Sequence, residues 1–165
     1  MATLFCVTGL GKGTFSISPI RNESGDDASS CAVEFYPDAC GKAVNHVYSA
    51  SDPFSVWILA RTFAEAPLLV GATVPIDLLR NGRGRRAEVY QTANFLDVVL
   101  FGIGRRGIIG AHLYVYEDDT NFCRHFTVRA PAEDVKRFGD ELEQEIRVAS
   151  PGWARSHCPG EDHAV

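Results

Sequence analysis

The sequence predicts an α+β fold: an antiparallel β-sheet with a C-terminal amphipathic helix and one internal helix packed on one face. Two observations carry that expectation. Four short segments rich in β-branched and aromatic residues, 86–93, 95–103, 107–117 and 122–130, follow one another, the last three joined by the turn residues of "GRR" and "DDTN". Directly after them, Val135, Phe138, Leu142, Ile146 and Ala149 recur at steps of three and four residues, which lays a single apolar stripe along a helix. Strands that run into a terminal amphipathic helix make a sheet with helices segregated to one face.

The elements are justified in chain order. "TLFCVTG" (3–9) and "GTFSISPI" (13–20) are short, β-rich runs separated by "LGKG". The polar stretch "RNESGDDASS" (21–30) has no apolar period and reads as a loop. In "CAVEFY" (31–36), Cys31, Val33 and Phe35 alternate with Ala32, Glu34 and Tyr36, and "AVNHVYSA" (43–50) gives a further strand. Asp52 followed by Pro53 is a helix-start signature, with Val56, Trp57, Ala60, Phe63 and Ala64 at helical spacing behind it. The same residues include "SVWILA", which also reads as a buried strand, and the helix is favoured. The prolines and glycine of "PLLVGATVPIDLL" (67–79) argue for a loop leading to a short helix or edge strand. In "HLYVY" the alternation sets His112, Tyr114 and Tyr116 on one face and Leu113 and Val115 on the other. Glu133 and Asp134 fall in the first turn of the closing helix, where acidic side chains oppose the positive dipole end. Pro151-Gly152 is expected to end that helix. Residues 1–150 then form the domain, and 151–165 a flexible tail.

Composition narrows the class. The 165 residues are 45% apolar and 22% charged, which fits an ordinary globular chain rather than a disordered or collagen-like one. Five cysteines form an odd set with no C-x-x-C pair, as reduced thiols would, and the N-terminus lacks a basic n-region ahead of its short apolar run. Cys6, Cys31 and Cys123 sit in apolar runs, where cysteine behaves as a small buried hydrophobe. No run approaches the roughly 18–20 apolar residues that span a bilayer. A cytoplasmic location with no membrane partner is the expectation.

Charge is uneven. Residues 80–106 hold six arginines against Glu88 and Asp97, a balance of +4, in a chain whose net charge is −5. Arg80, Arg83, Arg85 and Arg86 of "RNGRGRR" precede the first strand of a hairpin, and Arg105 and Arg106 of "GIGRRG" follow the second. Pairing would bring both tips to one sheet end. Arginine presents a planar fork of donors to phosphate, and glycine lets a backbone approach an anion closely. Two solvated hairpin tips would carry the same residues.

Other motifs exclude more than they suggest. "GLGKGT" (9–14) fails the G-x-x-x-x-G-K-[ST] spacing of a phosphate-binding loop. Cys123 and His125 share a strand face and His112 lies across the hairpin, but buried cysteine beside ordinary histidines explains them more simply than a zinc site. The same group, with Glu117 or Asp118, is the sole set from which a Cys/His catalytic site can be assembled. No catalytic residue, metal site or cofactor is assigned on these signals. Tyr114 and Tyr116, with Tyr90, have the residue type enriched in protein interfaces, unless the 51–64 helix covers them.

The run "GIIGAHLYVYEDDTNFCRHFTVRAPAEDVKRFGDELEQEI" resembles the end of small bacterial and toxin-immunity-like proteins, in which a hairpin leads into a helix of the form V-x-x-F-x-x-x-L. The similarity spans about 40 residues of hydrophobic pattern, and it implies fold kinship without functional residues. The favoured reading is a non-catalytic protein that binds another protein through its surface, possessing an immunity-like role. An anion- or nucleic-acid-binding module built on the arginine loops, and a small Cys/His enzyme, stand beside it.

Overall fold

Strands form where apolar residues alternate with polar ones, and all of them pair antiparallel. The computed structural model describes residues 1–21, 27–38, 41, 43–48, 52–74, 85–104, 106–116 and 123–157, with the backbone alone described at 73, 74, 85 and 86. The first third gives β1 (Ala2–Val7), β2 (Lys12–Ile20), β3 (Ser30–Tyr36) and β4 (Val44–Tyr48). Helix α1 (Pro53–Glu65) and a 3-10 turn (Ala66–Leu69) follow, then β5 (Thr73–Val74), which pairs with β6 (Arg85–Arg86). Strands β7 (Glu88–Ala93), β8 (Leu96–Ile103), β9 (Ile108–Tyr116) and β10 (Cys123–Pro131) lead into α2 (Ala132–Ala149) and α3 (Pro151–His157).

The fold is α+β. Eight strands make one sheet in the order β4-β3-β2-β1-β10-β9-β8-β7, so the first and last strands of the chain's two strand sets meet at its centre. There Val7 pairs with Arg129. The sheet curls from this joint until β4 approaches β9 and β10. The Tyr48 hydroxyl donates to the Tyr116 carbonyl, the Arg124 guanidinium donates to the Ala43 carbonyl at 2.6 Å, and the Phe35 and Phe126 rings stand 4.4 Å apart.

Both long helices cover the same face. Asp52 caps α1 by accepting the Ser55 amide at 3.0 Å, and Pro53 opens the helix, as the Asp-Pro signature predicts. The α2 stripe is fully inside: Val135, Phe138, Leu142 and Ile146 are each at most 2% exposed. It does not rest chiefly on the last strands, contrary to the sequence expectation. Helix α2 lies against α1, β1 and β2, while α1 and the 3-10 turn lie over β7 and β8. Phe138 sits at the crossing, 5.8 Å from the Phe15 ring of β2 and 4.9 Å edge-on from Phe63 of α1.

A second correction concerns the C-terminus. Residues 151–157, expected to begin a flexible tail, form α3, and Trp153 packs 5.9 Å from the Trp57 ring with 9% of its surface exposed. Proline explains both halves of this finding. It forces the preceding Ser150 out of helical geometry, which ends α2, and its own fixed φ suits the first position of a new helix. Ser150 is fully buried, and its hydroxyl accepts the Ala28 amide at 2.9 Å. Residues 158–165 lie outside the described residues. Among the described residues no helix is long and apolar enough to cross a membrane.

Candidate functional site

The face of β7–β10 turned away from the helices carries a connected set of aromatic, imidazole and carboxylate side chains. Strand alternation builds it. Leu113 and Val115 point to the core, so His112, Tyr114 and Tyr116 point outward. Register then sets their neighbours: Tyr114 opposes Asp97 on β8 and His125 on β10, while His112 opposes Val99 and Thr127. Tyr90 opposes Val99 from the edge strand. These tyrosines are therefore not covered by α1, which packs on the opposite face, and the covering alternative fails.

Asp97 organises one side of the set. Its Oδ2 accepts the Tyr116 hydroxyl at 2.5 Å and the Tyr90 hydroxyl at 2.9 Å. The carboxylate holds the proton on both phenols, which pushes Tyr116 up to about 12 and raises Tyr90 as well. Both rings are thereby tied to one anchor, at little cost in freedom on meeting a partner. Asp97 Oδ1 is buried with no partner among the described residues. Sequence reading passed over Asp97. The signal was there, since it is the one carboxylate within the apolar run "FLDVVLFGI".

The other side is imidazole. His125 stacks on Tyr114 with ring centroids 4.5 Å apart and planes at 9°, and His112 lies 5.1 Å from the Phe101 ring. His112 Nδ1 is 3.1 Å from His125 Nε2 and 3.1 Å from Thr127 Oγ1. The expected proximity of His112 and His125 is thus real. Cys123, expected to be buried, is exposed instead, because β10 turns it to the outer face opposite Tyr116. Arg124 points the other way, toward Ala43, so it does not flank that thiol. Among the described residues no three of His, Cys, Asp and Glu group as a metal site.

The arginine loops are placed only in part. Arg80, Arg83 and Arg105 lie outside the described residues. Arg85 and Arg86 form the backbone of β6, and Arg106 is exposed in the β8–β9 turn, where Gly104 and Gly107 adopt φ of 59° and 65° that only glycine takes without strain. Glu88 pairs with Phe101, so β6 and that turn share a sheet end. Tyr114 and Tyr116 do not, whereas Tyr90 lies two residues along β7 from Glu88. Tyr114 stands six residues along β9 from Ile108 at the turn, roughly 20 Å away. Tyr114 and Tyr116 therefore stand toward the far end of β9 from Arg106. "GLGKGT" is a hairpin tip, closed by the Thr8 amide donating to the Gly11 carbonyl at 2.7 Å.

A second concavity lies where the sheet curls. A cleft of about 320 Å³ between β4 and the ends of β9 and β10 is lined by Asn45, His46, Tyr48, Val115 and Arg124, among others. Its volume lies at the lower limit for ligand pockets, and Asn45, His46 and Arg124 give it a polar lining. No protein-family model matches the chain, and a search of curated proteins returns no significant match.

Proposed function

We propose that this protein is a small non-catalytic binding module that engages another protein through the outer face of β7–β10, in an immunity-like role. The observation that supports this reading most is the ordered aromatic set of Tyr90, Tyr114 and Tyr116 on a face that neither long helix covers. Tyrosines contribute large contact area for few rotatable bonds, and prior tethering to Asp97 lowers the ordering cost of binding. The immunity-like part rests on the hydrophobic-pattern resemblance of the last 40 or so residues alone, which is an analogy of fold.

The test is stoichiometric co-purification with one defined protein in about 0.5 M salt, where weak electrostatic contacts are screened. Tyr90→Ala and Tyr114→Ala are expected to abolish it, with circular dichroism unchanged, and Arg106→Ala to leave it intact. A partner that arrests growth when expressed without this chain would supply the immunity-like part. A second reading rests on the shared sheet end of β6 and the Arg106 turn: an anion- or nucleic-acid-binding module. It expects a salt-dependent shift of labelled single-stranded DNA that disappears when the loop arginines become alanine.

A further inference from the structure

We propose that the outer face of β7–β9 captures a primary ammonium group, a lysine side chain of the partner protein, against Asp97, Tyr90, Tyr114 and Tyr116. This deepens the protein-binding reading of that face and rests on it. Its starting point is the Asp97 carboxylate. Oδ2 accepts both phenol hydroxyls, Oδ1 is buried without a hydrogen-bond partner, and no Lys or Arg of the described residues forms an ion pair with it. Asp97 thus holds a partly buried charge that no cation among the described residues neutralises.

The hydroxyls carry that charge outward. Each donates its one proton to Asp97, so the lone pairs left on Tyr90 Oη and Tyr116 Oη can only accept. Hydrogen bonds in series polarise one another, which makes these oxygens better acceptors than those of isolated phenols. Their distances to the shared Oδ2, 2.9 and 2.5 Å, keep the two oxygens within about 5.4 Å of each other. An ammonium that donates to two acceptors at about 2.9 Å and the tetrahedral angle spans about 4.7 Å. That span lies within the limit. Thr92, exposed beside Tyr90 on the edge strand, has a rotatable hydroxyl that can accept the third N–H.

Tyr114 supplies a wall. Register places it between Asp97 on β8 and His125 on β10. His125 stacks on one face of the ring at 4.5 Å, so the other face turns toward Asp97, where its π-cloud attracts a cation. The site opens to solvent at Tyr90, which is 61% exposed. A net charge of −5 also favours the approach of a basic partner. A quaternary ammonium could use the ring but not the acceptor oxygens, so the two kinds of cation are distinguishable.

The experiment is a nuclear magnetic resonance titration of the full chain, its tyrosine rings labelled with carbon-13, using n-butylammonium chloride against sodium chloride at equal ionic strength. Saturable shifts of the Tyr90, Tyr114 and Tyr116 ring signals are expected. Tetramethylammonium should bind about threefold more weakly or worse, for want of N–H donors. Asp97→Asn, and Tyr90→Phe combined with Tyr116→Phe, are each expected to weaken butylammonium binding about fivefold or more. Thermal unfolding of each variant separates a lost site from a lost fold. No saturable shift, equal binding of tetramethylammonium, or indifference to the substitutions in folded protein would each overturn the site. Ammonium binding with no co-purifying protein overturns the partner's lysine as occupant, whereas co-purification without ammonium binding overturns this site alone.

Discussion

Gly139 of α2 lies so close to α1 that a Cβ at position 139 would stand 2.3 Å from the Ala64 amide nitrogen and 2.6 Å from the Ala60 carbonyl oxygen. Two effects of Gly139→Ala oppose each other. Alanine gains about 1 kcal/mol of helix propensity over glycine. Against it, the methyl group meets backbone atoms on a rigid helix, and overpacking of that kind costs about 1–3 kcal/mol or more. The clash should win. Chemical denaturation is expected to show a net loss of about 1–2 kcal/mol, and a more stable variant would mean the helices separate freely.

The Asp97 carboxylate governs two phenols, so its neutralisation should be visible in their ionisation. Tyr116 sits at about 12 because Asp97 accepts its hydrogen bond. Asp97→Asn keeps an acceptor but removes the charge, and Tyr116 is expected to return toward the ordinary value near 10. Absorbance titration near 295 nm, with Tyr116→Phe as reference, reads this directly. An unchanged titration would dissociate the two residues.

Alkaline pH should destabilise the fold through the same kind of group. Burial pushes Cys6 to about 11 and Cys31 to about 12, from an ordinary thiol value of 9.0, and Tyr116 is raised too. Each raised value means the folded state holds the proton more tightly. The stabilising contribution is therefore complete below about pH 9 and is lost as pH climbs from there through the folded values near 11–12. The thermal midpoint is expected to fall over that window. Iodoacetamide at pH 8 should meanwhile label exposed Cys123 in the native protein and reach Cys6 and Cys31 only after unfolding. Peptide mass spectrometry distinguishes the sites.

Trp153 fastens α3 to the body of the protein. It packs on Trp57, and the Gly152 amide donates to Asp27 at 2.8 Å. Trp153→Ala is expected to cost about 3 kcal/mol, the lower end for a buried tryptophan because a terminal helix can peel away. Denaturant midpoints measure it. A loss under about 0.5 kcal/mol would show α3 to be a passenger.

What was legible in the sequence was local. The stripe from Val135 to Ile146, the alternation of "HLYVY" and the Asp52-Pro53 start each depend on neighbours a few residues away, and each became the element expected. Partnership across the chain was not legible. Nothing in Asp97 itself announces that Tyr90 and Tyr116 converge on it, since that follows from register between three strands. Pro151 ended α2 as expected, but the residues behind it were misread as a tail: the same ring that closes one helix can open the next, and only the burial of Trp153 decides between them. The placement of Tyr114 and Tyr116 at the far end of β9 from the Arg106 turn followed from strand length, which alternation alone does not fix.

Helices α1 and α2 each cover strands contributed mainly by the other half of the chain, and this sets the order in which a newly made molecule can hide its apolar surface. Phe138 meets Phe15 across 123 intervening steps of sequence. At a ribosomal pace of roughly 5–20 residues per second, the early strands wait about 6–25 seconds for their roof. During that interval Phe15 and Ile17 have no lid, and a nascent chain in this state is a client for any holding chaperone.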